Sequence, residues 1–205
     1  MKTGWKTRNE DAMKSLDEFL ADAEQAHGHL CAGQVLGVRM AMLGLEKLGI
    51  EDPRGKDRKR LVTFVEIDRC ATDAVAVVTG CRLGKRALKF RDWGKVAATF
   101  VDVASGRAVR IAARESSKER ARQAHPELAD KNQQQMLAYR ELTTDELFDV
   151  RWVKVALQPE EFPGYKGERT VCAQCGEGIN FRREVRRDGQ LLCRGCAGES
   201  YYEPV

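Results

Sequence analysis

The sequence predicts an α+β fold in two parts: a mixed helix and sheet core domain over residues 1–157 and a small cysteine-rich domain over 171–205. Three observations support this prediction. Helix-like and strand-like segments are interleaved irregularly up to residue 157. The stretch that follows, QPEEFPGYKGER, concentrates two prolines and two glycines, which indicates a linker over 158–170. Four of the seven cysteines then lie beyond that linker.

Two helices are predicted at the start of the core. Asn9 is the predicted N-cap of the first, and the apolar face comprises Met13, Leu16, Phe19, Leu20 and Ala23. The second runs from about Cys31 to Leu48 and ends at Gly49; it is apolar nearly all round, so we expect it to be central and buried. Its small residues Gly33, Gly37 and Ala41 recur every four positions. This stripe predicts close packing against another backbone.

The rest of the core mixes the two kinds of element. Strands are predicted over 61–67 and 150–157, and VAATFVDV and AVRIAAR form a predicted hairpin around Ser105-Gly106. A short helix is predicted to begin at Thr72 or Asp73 and to end before Cys81. The segment 116–147 is polar and helical, is interrupted at His125-Pro126, and has a capping-box pattern for its last piece at Thr143 and Glu146.

Composition limits the class of protein. Of the 205 residues, 42% are hydrophobic and 32% charged, and the net charge of +4 is too small to indicate a nucleic-acid partner by itself. No apolar run is long enough to span a bilayer, and the start lacks the apolar core of a signal peptide. We therefore expect a cytoplasmic protein with no membrane partner. An odd number of cysteines is a poor disulfide framework and favours metal or thiol chemistry.

Two CxxC pairs predict a structural zinc site in the C-terminal domain. The ligands are Cys172, Cys175, Cys193 and Cys196, and the spacing of the pairs is that of a zinc ribbon, here treble-clef-like. Gly176 follows the first pair, and the intervening segment is predicted to form a hairpin that turns at Asp188-Gly189. So short a segment needs the metal to fold. A redox dithiol pair or two disulfides are the alternatives.

The cysteine-rich domain has two possible roles, scaffolding or protein contact on one hand and nucleic-acid binding on the other. Arg182, Arg183, Arg186 and Arg187 suggest nucleic acid. However, residues 166–205 contain seven basic and six acidic side chains, and four thiolates with one zinc ion add negative charge. A phosphate-binding surface carries a clear positive excess. We therefore expect no nucleic-acid partner.

The stretch HGHLC, residues 27–31, places three potential metal ligands within five residues. In an extended chain His27, His29 and Cys31 share one side, and in a helix His27 and Cys31 still share a face. Cys31 also lies at a predicted helix start, which favours the thiolate. Cys70 and Cys81 flank the next short helix. These residues predict a metal or reactive-thiol site, with burial of the cysteines as small apolar residues as the alternative.

The motifs HGHLCAGQVLGVRMA and EIDRCATDAVAVVTGCRLGKRALKFRDWGKVAATF resemble the formylmethanofuran dehydrogenase E-subunit-like family, and CAQCGE…LLCRGC resembles the zinc ribbon that many members append. The resemblance implies an α+β core, a homodimer, and a cleft that can hold a metal. It implies His27, His29, Cys31, Cys70 and Cys81 as candidate ligands, with Asp73, Lys85 and Lys95 in contact with them. The segment 114–157 matches less distinctly. Association of many members with a molybdenum or tungsten enzyme suggests such an enzyme as partner.

These motifs and the resemblance leave three candidate functions. The first is a dimeric metal-binding protein with a zinc ribbon and a second divalent metal, expected to be zinc, in the core, accessory to a molybdenum or tungsten enzyme. The second is a stand-alone metalloenzyme whose open metal site includes Cys31 as the candidate catalytic residue. The third is a regulator that uses the ribbon to contact nucleic acid or polymerase. No pterin, iron–sulfur or GxGxxG motif is present, so we do not expect this chain alone to oxidise formylmethanofuran.

Overall fold

A computed structural model describes residues 13–203 of the chain and divides it into two compact units, one ending at Ala156 and the other beginning at Leu157. The first unit mixes helices with one five-stranded sheet. Its helices are α1 (Leu16–His27), α2 (Ala32–Leu48), α3 (Cys70–Thr79), α4 (Ser116–Ala124), α5 (Lys131–Glu141) and α6 (Thr144–Leu147). Its strands are β1 (Leu61–Val65), β2 (Leu88–Phe90), β3 (Ala97–Asp102), β4 (Ala108–Ala113) and β5 (Phe148–Val153). The predicted α+β class is confirmed.

The sheet has the order β2-β1-β3-β4-β5. Strands β1 and β2 are parallel, with Thr63 opposite Leu88, and the other neighbours are antiparallel. The predicted hairpin is present as β3 and β4, with Phe100 opposite Val109. Strand β2 was not predicted from the sequence, because three residues are too few to show an alternating pattern. The last strand begins at Phe148 rather than at 150, directly after the capped turn α6.

Helix α1 begins later than the sequence pattern predicts. The predicted cap Asn9 lies outside the described residues, and the helix starts at Leu16 with Ser15 as its cap. The Ser15 hydroxyl accepts from the Glu18 amide at 3.3 Å, and the Glu18 carboxylate accepts from the Ser15 amide at 2.8 Å. This reciprocal pair is a capping box, which the pattern Ser-x-x-Glu could have indicated. The predicted capping box at Thr143 and Glu146 is present before α6.

Helix α2 is the centre of the first unit, as predicted. It is buried along nearly its whole length and packs against α1, α3, α5 and the sheet. Gly37 is in such close contact with α3 that an added Cβ would lie 2.4 Å from the Ala71 carbonyl oxygen. A Cβ added to Gly44 would lie 2.3 Å from the Phe100 ring. The small-residue stripe therefore lets α3 approach, and this approach positions the candidate site.

Helix α3 starts at Cys70, earlier than the predicted start at Thr72 or Asp73. Arg69 is its extended N-cap residue, and the helix ends at Gly80 in a left-handed conformation. The Thr72 hydroxyl donates to the Ile67 carbonyl oxygen, so Thr72 stabilises the entry to the helix from within its first turn. Cys70 is consequently a residue of the first helical turn.

The second unit is built from two short hairpins. Strands β6 (Arg169–Val171) and β7 (Gly178–Asn180) form one, and β8 (Val185–Arg187) and β9 (Gln190–Leu192) form the other. The predicted turn at Asp188 and Gly189 is present, both with positive φ. A helical segment over Gly195–Glu199 ends the unit. Within residues 13–203, no helix is both long and apolar enough to cross a bilayer.

Candidate functional site

The four C-terminal cysteines form a metal-ligand cluster. The Sγ atoms of Cys172, Cys175, Cys193 and Cys196 all lie within 4.8 Å of one another. Each pair comes from a tight turn after a strand, and Gly176 takes the left-handed conformation, with a φ of 76°, that the first turn requires. The side chain of Cys172 is buried with Ile179 and Leu192, which form the small apolar core of this unit. Four thiolates in this arrangement are the donor set of a structural zinc site.

Backbone amides and neighbouring thiols act oppositely on this cluster. Hydrogen bonds from the backbone at Cys175 and Cys193, the second at 3.2 Å, lower the pKa of the Cys172 thiol to about 6. The neighbouring Cys193 thiol and burial raise the pKa of Cys196 to about 12. The Cys172 sulfur is therefore a thiolate at neutral pH even without a metal. Four adjacent thiolates, however, repel one another unless a cation lies between them. A zinc ion supplies that charge and holds all four as thiolates.

The HGHLC motif connects α1 to α2 by a tight turn. His27 is the last residue of α1, Gly28 follows with a φ of 94°, and Cys31 is the N-cap residue of α2. The rings of His27 and His29 have centroids 4.9 Å apart. Buried Gln34 fixes the turn because its amide donates to the Ala23 carbonyl oxygen at 3.1 Å and accepts from the Cys31 amide at 3.2 Å. The motif thus adopts neither of the two predicted conformations, a single helix or a single extended strand.

His27 contacts Asp73 across two helices. The distance from His27 Nδ1 to Asp73 Oδ2 is 2.9 Å. A carboxylate at one ring nitrogen fixes the tautomer with the proton on that nitrogen, so the other nitrogen, Nε2, becomes available as a ligand or base. Asp73 thus contacts one of the candidate ligands, His27.

Cys31 and Cys70 lie next to each other at the starts of α2 and α3. A Cβ added to Gly33 would lie 3.4 Å from Cys70 Cβ and 3.7 Å from Cys31 Sγ. Burial and the neighbouring Cys31 thiol raise the pKa of Cys70. Both side chains are half-buried. The two cysteines, far apart in sequence, therefore form a dithiol pair.

None of the described contacts joins the other three predicted residues, Cys81, Lys85 and Lys95, to this pair. Cys81 is buried at the other end of α3, where it accepts from the Thr63 hydroxyl at 3.5 Å, and burial raises its pKa. Lys95 lies over the Trp93 ring, with Nζ 5.8 Å from its centroid. Lys85 ends a 3₁₀ turn over Leu83–Lys85. Within residues 13–203, the C-terminal cluster is where three or more ligand atoms come within reach of one ion; the five N-terminal candidates do not converge in this way.

A cavity of about 420 Å³ opens beside His27 and Cys70. Both polar and apolar residues line it. The polar lining comprises His27, Asp68, Arg69, Cys70, Thr72 and Asp73, and the apolar lining comprises Val65, Leu83, Leu88 and Phe90. The imidazole–carboxylate pair and one thiol of the dithiol pair thus face a space large enough for a small molecule.

Sequence reasoning missed two residues that support the site. Gln34 is a polar exception on an apolar helix, and its complete burial shows that it bonds within the protein. Asn132, in the segment of uncertain role, accepts from the Ala32 amide at 3.2 Å and so satisfies an amide at the first turn of α2. Nothing in the sequence pairs residue 132 with residue 32.

An α+β core followed by a four-cysteine zinc-binding unit defines a two-part metal-binding protein. The family model described as "FmdE, Molybdenum formylmethanofuran dehydrogenase operon" matches residues 26–149. The chain belongs to this FmdE family. The model of the prokaryotic dksA/traR C4-type zinc finger matches residues 166–202, which include all four clustered cysteines.

Two further proteins resemble the chain. A "Probable S-adenosyl-L-methionine-binding protein" of Archaeoglobus fulgidus is 34% identical over 229 aligned positions, which cover 100% of this chain and 58% of that protein. The chain thus spans less than two thirds of this relative. The crystal structure of a tungsten formylmethanofuran dehydrogenase FmdE-like protein from Syntrophus aciditrophicus matches with a TM-score of 0.62 and 24% identity, covering 97% of this chain and 100% of that one. This similarity supports the fold.

Proposed function

We propose that the chain binds two metal ions, a structural zinc in the C-terminal cluster and a second divalent ion, zinc, beside the core cavity. The proposed ligands of the second ion are His27 through Nε2, Cys31 and Cys70. His29 is the fourth candidate, because its ring centroid lies 4.9 Å from that of His27. A metal held by these residues would border the cavity that His27 and Cys70 line. Cys81 is left out of this set because its Sγ accepts a hydrogen bond from the Thr63 hydroxyl inside the core.

The observation that carries the proposal is the His27–Asp73 contact beside the dithiol pair. Histidines that bind metals characteristically donate their other ring nitrogen to a carboxylate, which orients the ring and raises its basicity. An imidazole and two thiols are borderline and soft donors that suit zinc. Because the ligand atoms do not converge in this conformation, metal binding requires the side chains to reorient.

The proposed biological role is that of an accessory, metal-handling homodimer for a molybdenum or tungsten enzyme. The family description names the molybdenum formylmethanofuran dehydrogenase operon, and the Syntrophus neighbour is described as a tungsten formylmethanofuran dehydrogenase FmdE-like protein. Both support a link between such proteins and that enzyme.

A small-molecule function of the same site is the second candidate, and the apolar wall of the cavity favours it. Leu83, Leu88 and Phe90 line the same cavity as His27 and Cys70 and offer a surface for the apolar part of a ligand. The name of the Archaeoglobus relative makes S-adenosyl-L-methionine the first ligand to test. If the chain is a metalloenzyme, the open coordination position of the metal would hold substrate or water, and Cys31 is the candidate catalytic residue.

Metal analysis of the purified protein tests the proposal. We expect about two zinc ions per chain in the wild type and about one in His27→Ala. His125→Ala is the matched control, because His125 contacts Glu141 far along the chain from this motif, and should keep both ions. A wild type that holds one zinc, all of it lost in Cys175→Ser, would refute the second site. Calorimetric titration with S-adenosyl-L-methionine tests the small-molecule function separately.

A further inference from the structure

The small-residue stripe on α2 brings together two cysteines that the sequence places far apart. Gly37 lets the backbone of α3 approach α2 at Ala71, the residue that follows Cys70. Four positions earlier, Gly33 lies between the side chains of Cys31 and Cys70. A Cβ at Gly37 would force the two helices apart, whereas one at Gly33 would be in ordinary van der Waals contact with both cysteine side chains. The stripe therefore fixes a dithiol at one end of the helix pair.

We propose that Cys31 and Cys70 form a reversible disulfide, so that this chain carries an oxidisable dithiol in its core unit. Both thiols are half-buried and Cys70 lines the cavity, so a low-molecular-weight disulfide can reach them. This inference does not depend on a metal at the same place.

The chemistry is thiol–disulfide exchange with glutathione disulfide as the oxidant. The first cysteine thiolate attacks glutathione disulfide, forms a mixed disulfide and releases one glutathione thiolate. The second cysteine attacks the protein sulfur of that mixed disulfide and releases the second glutathione. The two cysteines are oxidised, glutathione disulfide is reduced to two glutathiones, and these take up the two protons. Because the second thiol is already adjacent, this step is intramolecular and is favoured over capture of another glutathione.

Cys81 is the internal comparison for this chemistry. It lies on the same helix–loop segment as Cys70 but beyond the opposite end of α3, is 3% exposed, and is bonded to Thr63. If a position at an end of α3 were enough to make a cysteine reactive, Cys81 would react as readily as Cys70. A reaction that needs the dithiol geometry spares Cys81.

The test is disulfide mapping of full-length protein loaded with one zinc ion per chain, enough for the C-terminal cluster alone, and equilibrated with glutathione disulfide and glutathione. After acid quenching, alkylation and tryptic digestion, we expect peptide 15–39, which contains Cys31, cross-linked to peptide 70–82. Peptide 70–82 contains both Cys70 and Cys81, so assignment uses variants. The cross-link should persist in Cys81→Ala and disappear in Cys31→Ser and Cys70→Ser. A stable mixed disulfide with glutathione in place of the cross-link, or a cross-link that includes Cys81, would overturn the proposal.

Added zinc separates this proposal from the metal proposal. If the second metal site exists, excess zinc should slow oxidation of the pair, because its ligands include both thiols. If the cross-link forms at the same rate with and without added zinc, the dithiol proposal is supported and the proposal of a second metal site is refuted. If no cross-link forms under either condition, the dithiol fails, and metal analysis of His27→Ala still decides the other proposal.

Discussion

The Nδ1 atom of His27 lies 2.9 Å from Oδ2 of Asp73, which joins the end of α1 to the first turn of α3. The Asp73 side chain is 60% exposed, so this contact adds little to folding stability. Its effect is instead on the orientation and tautomer of the imidazole. The relationship connects the HGHLC motif to α3, and it is the basis of the first prediction.

Replacing Asp73 with Asn should weaken zinc binding at the core site by about 10–100-fold, which is typical for loss of a carboxylate behind a metal-binding histidine. An amide can present its NH₂ group to Nδ1 and favour the wrong tautomer. The measurement is competition with a chromogenic chelator, in Cys175→Ser protein so that the ribbon does not contribute.

Asp68→Asn is the matched control, because Asp68 also lines the cavity and the substitution removes the same charge. We expect it to change the affinity much less than Asp73→Asn. Equal effects of the two substitutions would mean that general electrostatics, and not orientation of His27, governs the site.

Much of the fold could be predicted because its signals are local. Helix α2 is marked by its apolar sequence and by Gly49, and the β3–β4 hairpin by Ser105-Gly106. The cysteine cluster was equally accessible, since both ligand pairs lie within CxxC motifs whose spacing is itself the constraint. Strand β2 was missed because its signal is only three residues long. The start of α1 was placed too early because Asn9 was chosen as the cap, whereas the cap is Ser15, directly before Leu16.

The core site was less accessible because tertiary contacts build it. The sequence singled out Cys70 and Cys81 equally, as residues at the ends of one helix. Only the approach of α3 to Gly37 decides that Cys70 meets Cys31 while Cys81 is buried beside Thr63. Likewise, the contact from Asn132 to the Ala32 amide spans 100 positions and leaves no local pattern.

Gly37→Ala should destabilise the first unit by about 1–3 kcal/mol, the usual cost of overpacking a close contact. The added methyl would lie within 2.8 Å of three atoms of α3, two of them backbone, so the helices must move apart. Urea unfolding followed by far-UV circular dichroism measures the change.

Gly84→Ala is the control for that experiment. A Cβ added to Gly84 has no neighbour within 4 Å, and the φ of Gly84 is not positive. We therefore expect the free energy of unfolding to change by less than about 0.5 kcal/mol. If Gly37→Ala were as stable as wild type, the two helices would not be held at the distance described. The same substitution should also slow Cys31–Cys70 cross-linking.

Glu66→Gln should destabilise the sheet by about 2–3 kcal/mol. Glu66 is 2% exposed and accepts two hydrogen bonds from Arg110 on β4, at 2.7 and 2.6 Å. The substitution leaves a partly buried guanidinium without its carboxylate partner. The cost falls below that of a fully buried pair because the Arg110 side chain is still 22% exposed. Thermal or urea unfolding measures it.

Glu51→Gln supplies the comparison, because Glu51 pairs with Lys56 and the two side chains are 74% and 64% exposed. An exposed ion pair contributes about 0–1 kcal/mol, so this variant should be close to wild type. Were both variants equally affected, burial would not be what makes the Glu66–Arg110 pair important.

Cys175→Ser should release the ribbon zinc and unfold the chain after Gly164, while the first unit keeps its secondary structure. The apolar core of the second unit consists of little more than Cys172, Ile179 and Leu192, so metal binding is its main source of folding energy. Zinc analysis and limited proteolysis test this. Loss of the circular dichroism signal of the first unit as well would show that the two units do not fold independently.

Zinc retention by the ribbon should depend on pH through Cys172. Backbone amides hold the pKa of this thiol at about 6, below its ordinary value. A group whose pKa is lowered in the folded state contributes stability that is fully present above the ordinary thiol pKa of about 8.5 and is lost as pH falls through the lowered value. We therefore expect the apparent zinc affinity to fall more steeply with decreasing pH below about pH 6, where zinc must also displace the proton of Cys172. Competition with a chelator at a series of pH values measures this dependence.

Zinc uptake by the metal-free ribbon should also release protons, because the Cys196 thiol, with a pKa raised to about 12 by the neighbouring Cys193 thiol, must ionise to bind. Cys172 is already a thiolate at neutral pH and contributes few of them. Calorimetric titration with zinc in two buffers of different ionisation enthalpy measures the number released. It should rise as the pH is lowered from 8 towards 6, since more of the Cys172 thiol is then protonated. A number that stays constant over this range would contradict the lowered pKa of Cys172.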